Sequence, residues 1–320
     1  MKVKLPKLLK DFLIYLTTIK GKSPRTRKEY QYDIILFLRY YKASQDEDME
    51  EMTKENIEQI SIQDVTIETI KEITLEDLYG FLEYCEVVRH NSAHSRARKV
   101  ASIKSFFKYV TVKRRLLEYN PADELESPKI GKKTPIYMNI QETKIFLEGI
   151  QKGNHYYRNT CIITFFLNLG LRVSELCNLN LQSIHGDSIH IIGKGDKERT
   201  IFLNQSCLSA LEDYINHERN QLTGIENEKA VFLSQKRTRI SRRSVERIVA
   251  SINLQSGLNK EKLSPHKLRH TSATLLYKNG ADIRSLQYIL GHASVSTTQI
   301  YTHVEDKEIR HVLENNPLNL

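Results

Sequence analysis

A tyrosine near the end of the chain is the first residue to consider for chemistry. Tyr301 lies in the stretch ILGHASVSTTQIYTH, which runs from Ile289 to His303. Its ring could simply pack against the protein, or its hydroxyl could act as a nucleophile. A free tyrosine has a pKa of about 10, so the second role requires positive groups around its target.

Two arginines and a lysine are candidates for those positive groups. Arg172 follows Gly170 at a corner between two predicted helices, Arg269 lies in SPHKLRHTSAT, and Lys194 lies in the turn GKGDKERT. A planar guanidinium binds two phosphate oxygens at once, and a mobile ammonium can donate a proton. Together these groups suit a phosphodiester, whose developing negative charge they would stabilise.

Each of these residues also has a structural explanation. Arginines at helix corners are often surface residues, and glycine-lysine turns form for backbone reasons alone. Lys197 and Arg199 compete with Lys194 for any catalytic role. Ser174 and Glu175 are able to cap the helix that follows Arg172 instead of acting on a substrate.

Histidines accompany the basic residues. His266 precedes Arg269 by three positions, so the two share one face of a predicted helix, and His292 is a second histidine able to hold a proton near neutral pH. His270 follows His266 at the spacing of a zinc-binding helix, but Lys267 stands where such a motif needs a glutamate. We therefore do not expect a metal site on this helix.

The segments that would carry these residues are mostly helical. Apolar residues recur at three- and four-residue steps in LLKDFLIYLTTI, EYQYDIILFLRYYK, LEDLYGFLEYCEVV and ARKVASIKSFFKYVTV. The acidic stretch that begins at Ser44 is expected to be a solvated loop or an exposed helix. SIHIIGKGDKERTIFL predicts a β-hairpin around a glycine-rich turn.

Helix ends can be read from single residues in the second half. YYRNTCIITFFLNLG places its apolar residues on one stripe, and Gly170 ends that helix. Ser264 and Pro265 are a good start for a helix that Gly280 ends. Asp282 is expected to cap the next helix.

A change of composition divides the chain. ESPKIGKKTPIYMNIQE combines prolines and lysines with no apolar period, which is typical of a linker. The sequence therefore predicts a helical domain over residues 1–127, a linker over 128–137, and a larger domain over 138–320. The fold class is mainly α, with one small β-sheet in the second domain.

Composition limits the possible partners and location. The chain has 320 residues and a formal net charge of +9, which favours a polyanion such as nucleic acid. Its cysteines, Cys85, Cys161, Cys177 and Cys207, are scattered and are expected to be reduced and buried. No apolar run reaches the ~18 residues of a membrane helix, and no signal peptide is recognised. We expect a cytoplasmic protein without a membrane partner.

The stretches GLRVSEL, GKGDKERT, HKLRHTSAT and LGHASVSTTQIYTH resemble the successive motifs of the tyrosine recombinase (phage integrase) family, and the Xer type in particular. The resemblance covers the whole chain, with its specific motifs between Gly170 and His303. It implies a core-binding (SAM-like) helical domain followed by a catalytic domain. It also implies a set of catalytic residues, namely Arg172, Lys194, His266, Arg269, His292 and Tyr301.

The resemblance implies that Tyr301 attacks DNA, that the two arginines bind the phosphate, and that Lys194 protonates the leaving 5′ oxygen. The implied partner is double-stranded DNA with an inverted-repeat core site. The C-terminal tail would dock on a neighbouring protomer and so build a tetramer on two DNA sites, of this chain alone or with a paralogous recombinase. Ser272 replaces an aromatic residue of many relatives, and the acidic stretch is unusually long. The first departure affects packing more than chemistry, and the second leaves open whether the reaction is chromosome-dimer resolution or mobile-element integration and excision.

Two basic clusters at predicted helix starts are expected to contact DNA, with the two domains closing round the duplex as a clamp. Their residues are Lys22, Arg25, Arg27 and Lys28 in the first cluster, and Arg96, Arg98 and Lys99 in the second. Three other functions remain as alternatives: a type IB topoisomerase-like relaxase, a non-catalytic DNA-binding regulator and, least favoured, a metal-dependent nuclease.

Overall fold

The computed structural model of the chain describes residues 4–46, 51–131, 137–193, 198–225 and 228–291. Its internal contacts divide the chain into two compact units, Met1–Lys132 and Lys133–Leu320. Each unit has its own hydrophobic core. Among the described residues, no helix is both long enough and apolar enough to cross a membrane.

Helices make up the first unit. Those in its described part are α1 (Lys7–Thr18), α2 (Pro24–Ser44), α3 (Lys54–Gln59), α4 (Ile67–Lys71), α5 (Leu75–Val87) and α6 (Ala93–Lys108), and a π-helical turn, Tyr109–Lys113, follows α6. Ser23 starts α2, because its hydroxyl accepts a hydrogen bond from the Thr26 amide at 3.2 Å. Ser92 starts α6 in the same way, through the Ser95 amide at 3.3 Å.

Aromatic side chains hold these helices together. Phe37 on α2 meets Phe81 on α5 edge to face, with ring centroids 5.3 Å apart, and Phe107 on α6 at 6.3 Å. Phe12 on α1 meets Phe106 on α6 at 5.4 Å. These rings are fully buried, and such pairs add to the stabilisation from burial alone. The starts of α2 and α6, which carry the predicted basic clusters, are thus fixed by a shared core.

The second unit combines helices with a small sheet. Its described helices are α7 (Ile140–Glu148), α8 (Tyr156–Leu169), α9 (Val173–Asn178), α10 (Gln205–His217), α11 (Arg242–Gln255), α12 (Pro265–Lys278) and α13 (Ile283–Leu290). The strands are β1 (Ile184–His185), β2 (Ser188–Ile192) and β3 (Glu198–Phe202). Helix α8 packs against both α10 and α12. Its apolar stripe is buried, as expected of a central helix.

Within the described ranges, the strands form an antiparallel sheet in the order β1-β2-β3. Ile189 pairs with Ile201, and Ile191 pairs with Arg199. All four of these side chains point inward, since alternate residues of a strand face the same side. The inward position of Arg199 is the exception to an otherwise apolar face.

The prediction of a mainly helical chain with one small sheet is confirmed. Gly170 ends α8 with a φ of 58°, and Ser264 and Pro265 begin α12. Asp282 caps α13 by accepting the amides of Arg284 and Ser285 at 2.8 and 3.0 Å. The four cysteines are buried and free, as expected. The acidic stretch that begins at Ser44 is described only in part, and α3 lies within its second half.

Candidate active site and DNA-binding surfaces

Arg172 lies where two helices meet. Helix α8 ends at Gly170, Leu171 is buried, and Arg172 is the N-cap of α9. A Cβ on Gly170 would lie 2.8 Å from Leu290 Cδ2 and 3.3 Å from Ser272 Oγ. Glycine is therefore required at this corner for two reasons, its left-handed φ and the close approach of two neighbours.

Glu175 is the centre of the site. Its Oε1 accepts hydrogen bonds from Arg172 Nη1 at 2.7 Å and from Arg199 Nη1 at 3.0 Å. Its Oε2 accepts from the Arg172 backbone amide at 2.8 Å and from Arg199 Nη2 at 2.9 Å. Arg269 Nη1 lies 3.8 Å from the same oxygen. One buried carboxylate thus holds arginines from three separate segments.

The charge of Glu175 is maintained despite its burial. Burial favours the neutral form of a carboxyl, but the hydrogen bonds and charge of Arg199 and the contacts from Arg172 outweigh it. The pKa of Glu175 consequently lies below its ordinary value. The capping role expected of Glu175 is confirmed by its bond to the Arg172 amide. Its larger role, as the shared partner of the arginines, was not predicted from the sequence.

The same three arginines hold the end of α13. Arg199 Nε donates to the carbonyl of Ile289 at 3.0 Å, Arg269 Nη2 to that of Leu290 at 2.5 Å, and Arg172 Nη2 to that of Gly291 at 2.9 Å. The last carbonyls of a helix lack partners within the helix and form the negative end of its dipole. Cationic donors therefore satisfy and stabilise this helix end, which directly precedes His292 in the sequence.

Arg269 and Arg172 differ in exposure. Arg269 is buried and also donates to the Gly170 carbonyl at 2.7 Å. The side chain of Arg172 is 33% exposed, so it is partly open to solvent. The structure therefore brings these two predicted catalytic arginines together at Glu175, with one of them accessible from outside.

His266 is exposed on the first turn of α12. Its Nε2 lies 3.0 Å from Nε2 of His270, a distance that requires one ring to donate and the other to accept. Partial desolvation, and then the charges of Arg269, Lys267 and Arg172, lower the pKa of His266. Burial, followed by the charges of His266, Lys267 and Arg269, lowers the pKa of His270 to about 4. Both imidazoles are therefore neutral at neutral pH.

Three predicted catalytic residues, Lys194, His292 and Tyr301, lie outside the described residues, as does Lys197. Arg199, which the sequence offered as an alternative to Lys194 for a catalytic role, is buried against Glu175. A guanidinium committed to this ion pair cannot reach a substrate to deliver a proton. In the part of the second unit that is described, no group of three or more His, Cys, Asp or Glu side chains could hold a metal ion.

The basic clusters of the first unit are partly exposed. Lys22, Arg25 and Lys28 are exposed at the start of α2, and Arg27 is half-buried. The second cluster is engaged in ion pairs. Arg96 is half-buried and paired with Glu86.

Arg98 and Lys99 both pair with Asp33, a fully buried carboxylate on α2. Arg98 keeps 33% of its side chain exposed, whereas the side chain of Lys99 is only 3% exposed. The DNA contact predicted for Lys99 is therefore not supported. Its ammonium lies 3.2 Å from Asp33 and compensates a buried charge.

A basic surface in the second unit was missed in the sequence, although the run QKRTRISRRSVER signals it. Its exposed residues are Lys236, Arg237, Arg242, Arg243 and Arg247. A groove of about 490 Å³ lies beside it, lined in part by Ser241, Ser244 and Arg247. Ser241 caps α11 by accepting the Ser244 amide at 3.1 Å, so the arginines project from a well-formed helix start.

Comparison with known proteins places this site in a family. A sequence profile of the Phage integrase family matches residues 137–308. The chain is 44% identical to a tyrosine recombinase XerC from Caldanaerobacter subterraneus subsp. tengcongensis over 318 residues, 99% of this chain and 88% of the relative. It is 33% identical to a tyrosine recombinase XerD from Listeria monocytogenes over 311 residues, 95% of this chain and 96% of the relative.

Solved structures share the fold. The XerH site-specific recombinase bound to its difH substrate in a pre-cleavage complex matches with a TM-score of 0.69 at 23% identity, covering 96% of this chain and 84% of that one. A lambda integrase dimer bound to a core site matches with a TM-score of 0.66 at 18% identity, covering 91% and 95%. The chain belongs to the phage integrase family and is a site-specific tyrosine recombinase of the Xer type.

Proposed function

We propose that the active site of this recombinase breaks and rejoins DNA through a covalent bond between a 3′ phosphate and a tyrosine. Its catalytic residues are Arg172, Lys194, His266, Arg269, His292 and Tyr301. One observation carries the proposal. Arg172 and Arg269, far apart in the sequence, share Glu175 and donate to the adjacent carbonyls of Gly291 and Leu290.

In the proposed step, Tyr301 Oη forms a bond to phosphorus while the bond between phosphorus and the 5′ oxygen breaks. The phenol proton passes to His266, whose lowered pKa keeps it neutral and able to accept. Lys194 gives a proton to the departing 5′ oxygen. The guanidinium groups of Arg172 and Arg269 stabilise the negative charge on the non-bridging oxygens.

Rejoining reverses this step with a 5′ hydroxyl from another strand. The phosphotyrosyl bond keeps the energy of the phosphodiester, so no ATP is consumed. The charge stabilisation comes from side chains, and the proposed reaction uses neither a metal ion nor a cofactor.

The proposed partner is double-stranded DNA with an inverted-repeat core site. Residues 1–127 are the proposed core-binding domain, 128–137 the linker, and 138–320 the catalytic domain with its docking tail. Exposed cations in each unit support the DNA contacts, Lys22, Arg25 and Lys28 in one, and Arg242, Arg243 and Arg247 in the other. Such clusters bind phosphates without regard to sequence and orient the protein on the duplex.

The assembly is proposed to be a tetramer in the cytoplasm, of this chain alone or with a paralogous recombinase. Relatives named XerC and XerD favour chromosome-dimer resolution over mobile-element integration.

Deleting residues from Val304 onward should spare DNA binding while impairing recombination, because the tail is proposed to dock on a neighbouring protomer. Recombination that survives this deletion would contradict the docking role.

Recovery of covalently bound DNA tests the proposal. The full chain is incubated with sheared DNA of its source organism in EDTA, the reaction is stopped with detergent, and the attached fragments are sequenced. We expect one short inverted-repeat site, and two copies of it on a plasmid should recombine. Relaxation of any supercoiled plasmid without site preference would favour a relaxase, and binding without covalent attachment would favour a regulator.

A further inference from the structure

We infer that Arg199 is a positioning residue of the recombinase, which orients Arg172 through Glu175 and fixes the end of α13. This inference rests on the proposed function, because it concerns the same active site. In the proposed active site, Arg199 does not contact DNA. Its role is to hold the group that does.

All three nitrogens of the Arg199 guanidinium are engaged inside the protein. Nη1 and Nη2 bind the two oxygens of Glu175 side by side, and Nε binds the Ile289 carbonyl. The side chains of Arg199 and Glu175 are only 6% and 3% exposed. A bidentate contact of this kind fixes the plane of the carboxylate as well as its position.

The plane of Glu175 matters because Arg172 uses the same two oxygens. Arg172 Nη1 binds Oε1 at 2.7 Å, and its backbone amide binds Oε2 at 2.8 Å. If the carboxylate rotated, Arg172 would follow or lose one of these bonds. Removing Arg199 would also leave the buried charge of Glu175 to be balanced by the remaining arginines, Arg172 and Arg269.

Arg199 supports α13 at its last turn as well. Its Nε holds Ile289, and its guanidinium lies directly against Gly291, where a Cβ would approach Nη1 to 2.7 Å. Arg172 and Arg269 bind the next two carbonyls of the same turn. The strand β3, the corner at Arg172 and the end of α13 are therefore joined through one side chain.

Lysine cannot replace this arginine. An ammonium is a point charge on a flexible stem and does not present parallel donors to a carboxylate. An Arg199→Lys protein keeps the charge that Glu175 needs but loses the fixed geometry. It is therefore the variant that separates positioning from charge compensation.

The test uses a synthetic duplex with the site recovered by covalent trapping, nicked so that the cleaved strand diffuses away. A second duplex carries a methylphosphonate at the scissile position, which replaces one charged non-bridging oxygen by a methyl group. Loss of a guanidinium that neutralises this charge should therefore slow cleavage of the second duplex much less than cleavage of the first. Single-turnover cleavage is measured on both with wild type, Arg172→Lys and Arg199→Lys.

We expect Arg199→Lys to cleave the phosphodiester about 10²-fold more slowly than wild type, as misplacing a catalytic group does. Its DNA affinity should be unchanged, and most of the loss should disappear on the methylphosphonate, as for Arg172→Lys. The ratio of the two rates in one protein sample is independent of the fraction that is folded. A destabilised variant therefore still gives a readable result.

Arg219→Lys is the matched control. Arg219 is another buried arginine of the second unit, and its guanidinium donates to the carbonyls of Glu228 and Ala230. It should lose stability without changing the ratio of the two rates.

If wild type cleaves and Arg199→Lys is equally impaired on both duplexes, or unimpaired, the positioning role is overturned while the proposed function stands. If wild type attaches to no DNA at all, the proposed function fails and the positioning role fails with it.

Discussion

Arg172 donates a hydrogen bond to the carbonyl oxygen of Gly291 at 2.9 Å, although 119 positions separate the two residues in the sequence. This bond joins the start of α9 to the end of α13. The residue after Gly291 is His292, so the contact fixes the residue that directly precedes the proposed catalytic segment. The proposed active site is therefore joined to the core of the second unit through its own arginines.

Replacing Glu175 by glutamine should destabilise the protein strongly. The substitution keeps the shape of the side chain but removes the charge that Arg172, Arg199 and Arg269 share. Loss of one partner of a buried ion pair typically costs about 3–5 kcal/mol. Urea unfolding would measure the change, with Glu246→Gln on the exposed side of α11 as the control. Equal stability of the two variants would contradict the central role of Glu175.

Gly170→Ala should be more harmful than Gly186→Ala. Both glycines have a left-handed backbone, with φ of 58° and 59°, so alanine is strained at either position by about 1–2 kcal/mol. Of the two, Gly170 is the position where the new Cβ would also collide with Leu290, at 2.8 Å, whereas no atom of the described residues lies within 4 Å of a Cβ on Gly186. Melting temperatures of the two variants compare the strain alone with the strain plus the collision. A similar decrease in melting temperature for both variants would show that the corner at Gly170 tolerates a side chain.

Acid should destabilise the wild-type protein through His270. The folded protein keeps this imidazole neutral until about pH 4, whereas the unfolded chain takes up a proton near the ordinary value of 6.5. The contribution of neutral His270 to the free energy of unfolding is therefore complete above pH 6.5 and is lost as the pH falls toward 4. About 2 kcal/mol of it is lost by pH 5. Urea unfolding of His270→Gln at pH 8 and pH 5 should lack this loss. Parallel pH dependence in both proteins would rule out this origin.

Lys28 and Lys99 should behave differently although both were predicted to contact DNA. Lys28 is exposed, so Lys28→Gln should weaken binding and reduce the slope of log affinity against log salt by about 0.9. Lys99 balances buried Asp33, so Lys99→Gln should lower the unfolding free energy and leave the slope unchanged. Fluorescence anisotropy at several salt concentrations measures the slope. A reduced slope for Lys99→Gln would restore it as a DNA contact.

Local signals in the sequence predicted the helix ends well. Gly170, Ser264 with Pro265, and Asp282 each act within one turn of their own position, so their effect is readable without the fold. The hairpin was predicted for the same reason, since alternation and a glycine-rich turn are local.

Long-range partners could not be read in this way. Nothing near Arg199 in the sequence indicates that Glu175 and Ile289 will surround it, and an inward arginine in a short strand looks like a surface residue. Lys99 was assigned to DNA because it stands in a basic run, while its burial depends on Asp33 in another helix. Charge runs reveal composition, but only packing decides which members face solvent.

The central claim is that the hydroxyl of Tyr301 becomes bonded to DNA. The most direct measurement incubates wild type and Tyr301→Phe with the nicked recognition duplex, separates the products on a denaturing gel, and maps the attached peptide by mass spectrometry. We expect a covalent adduct on the Tyr301 peptide of wild type, and no adduct for Tyr301→Phe despite normal binding. An adduct formed equally by Tyr301→Phe, or mapped to another residue, would contradict the account.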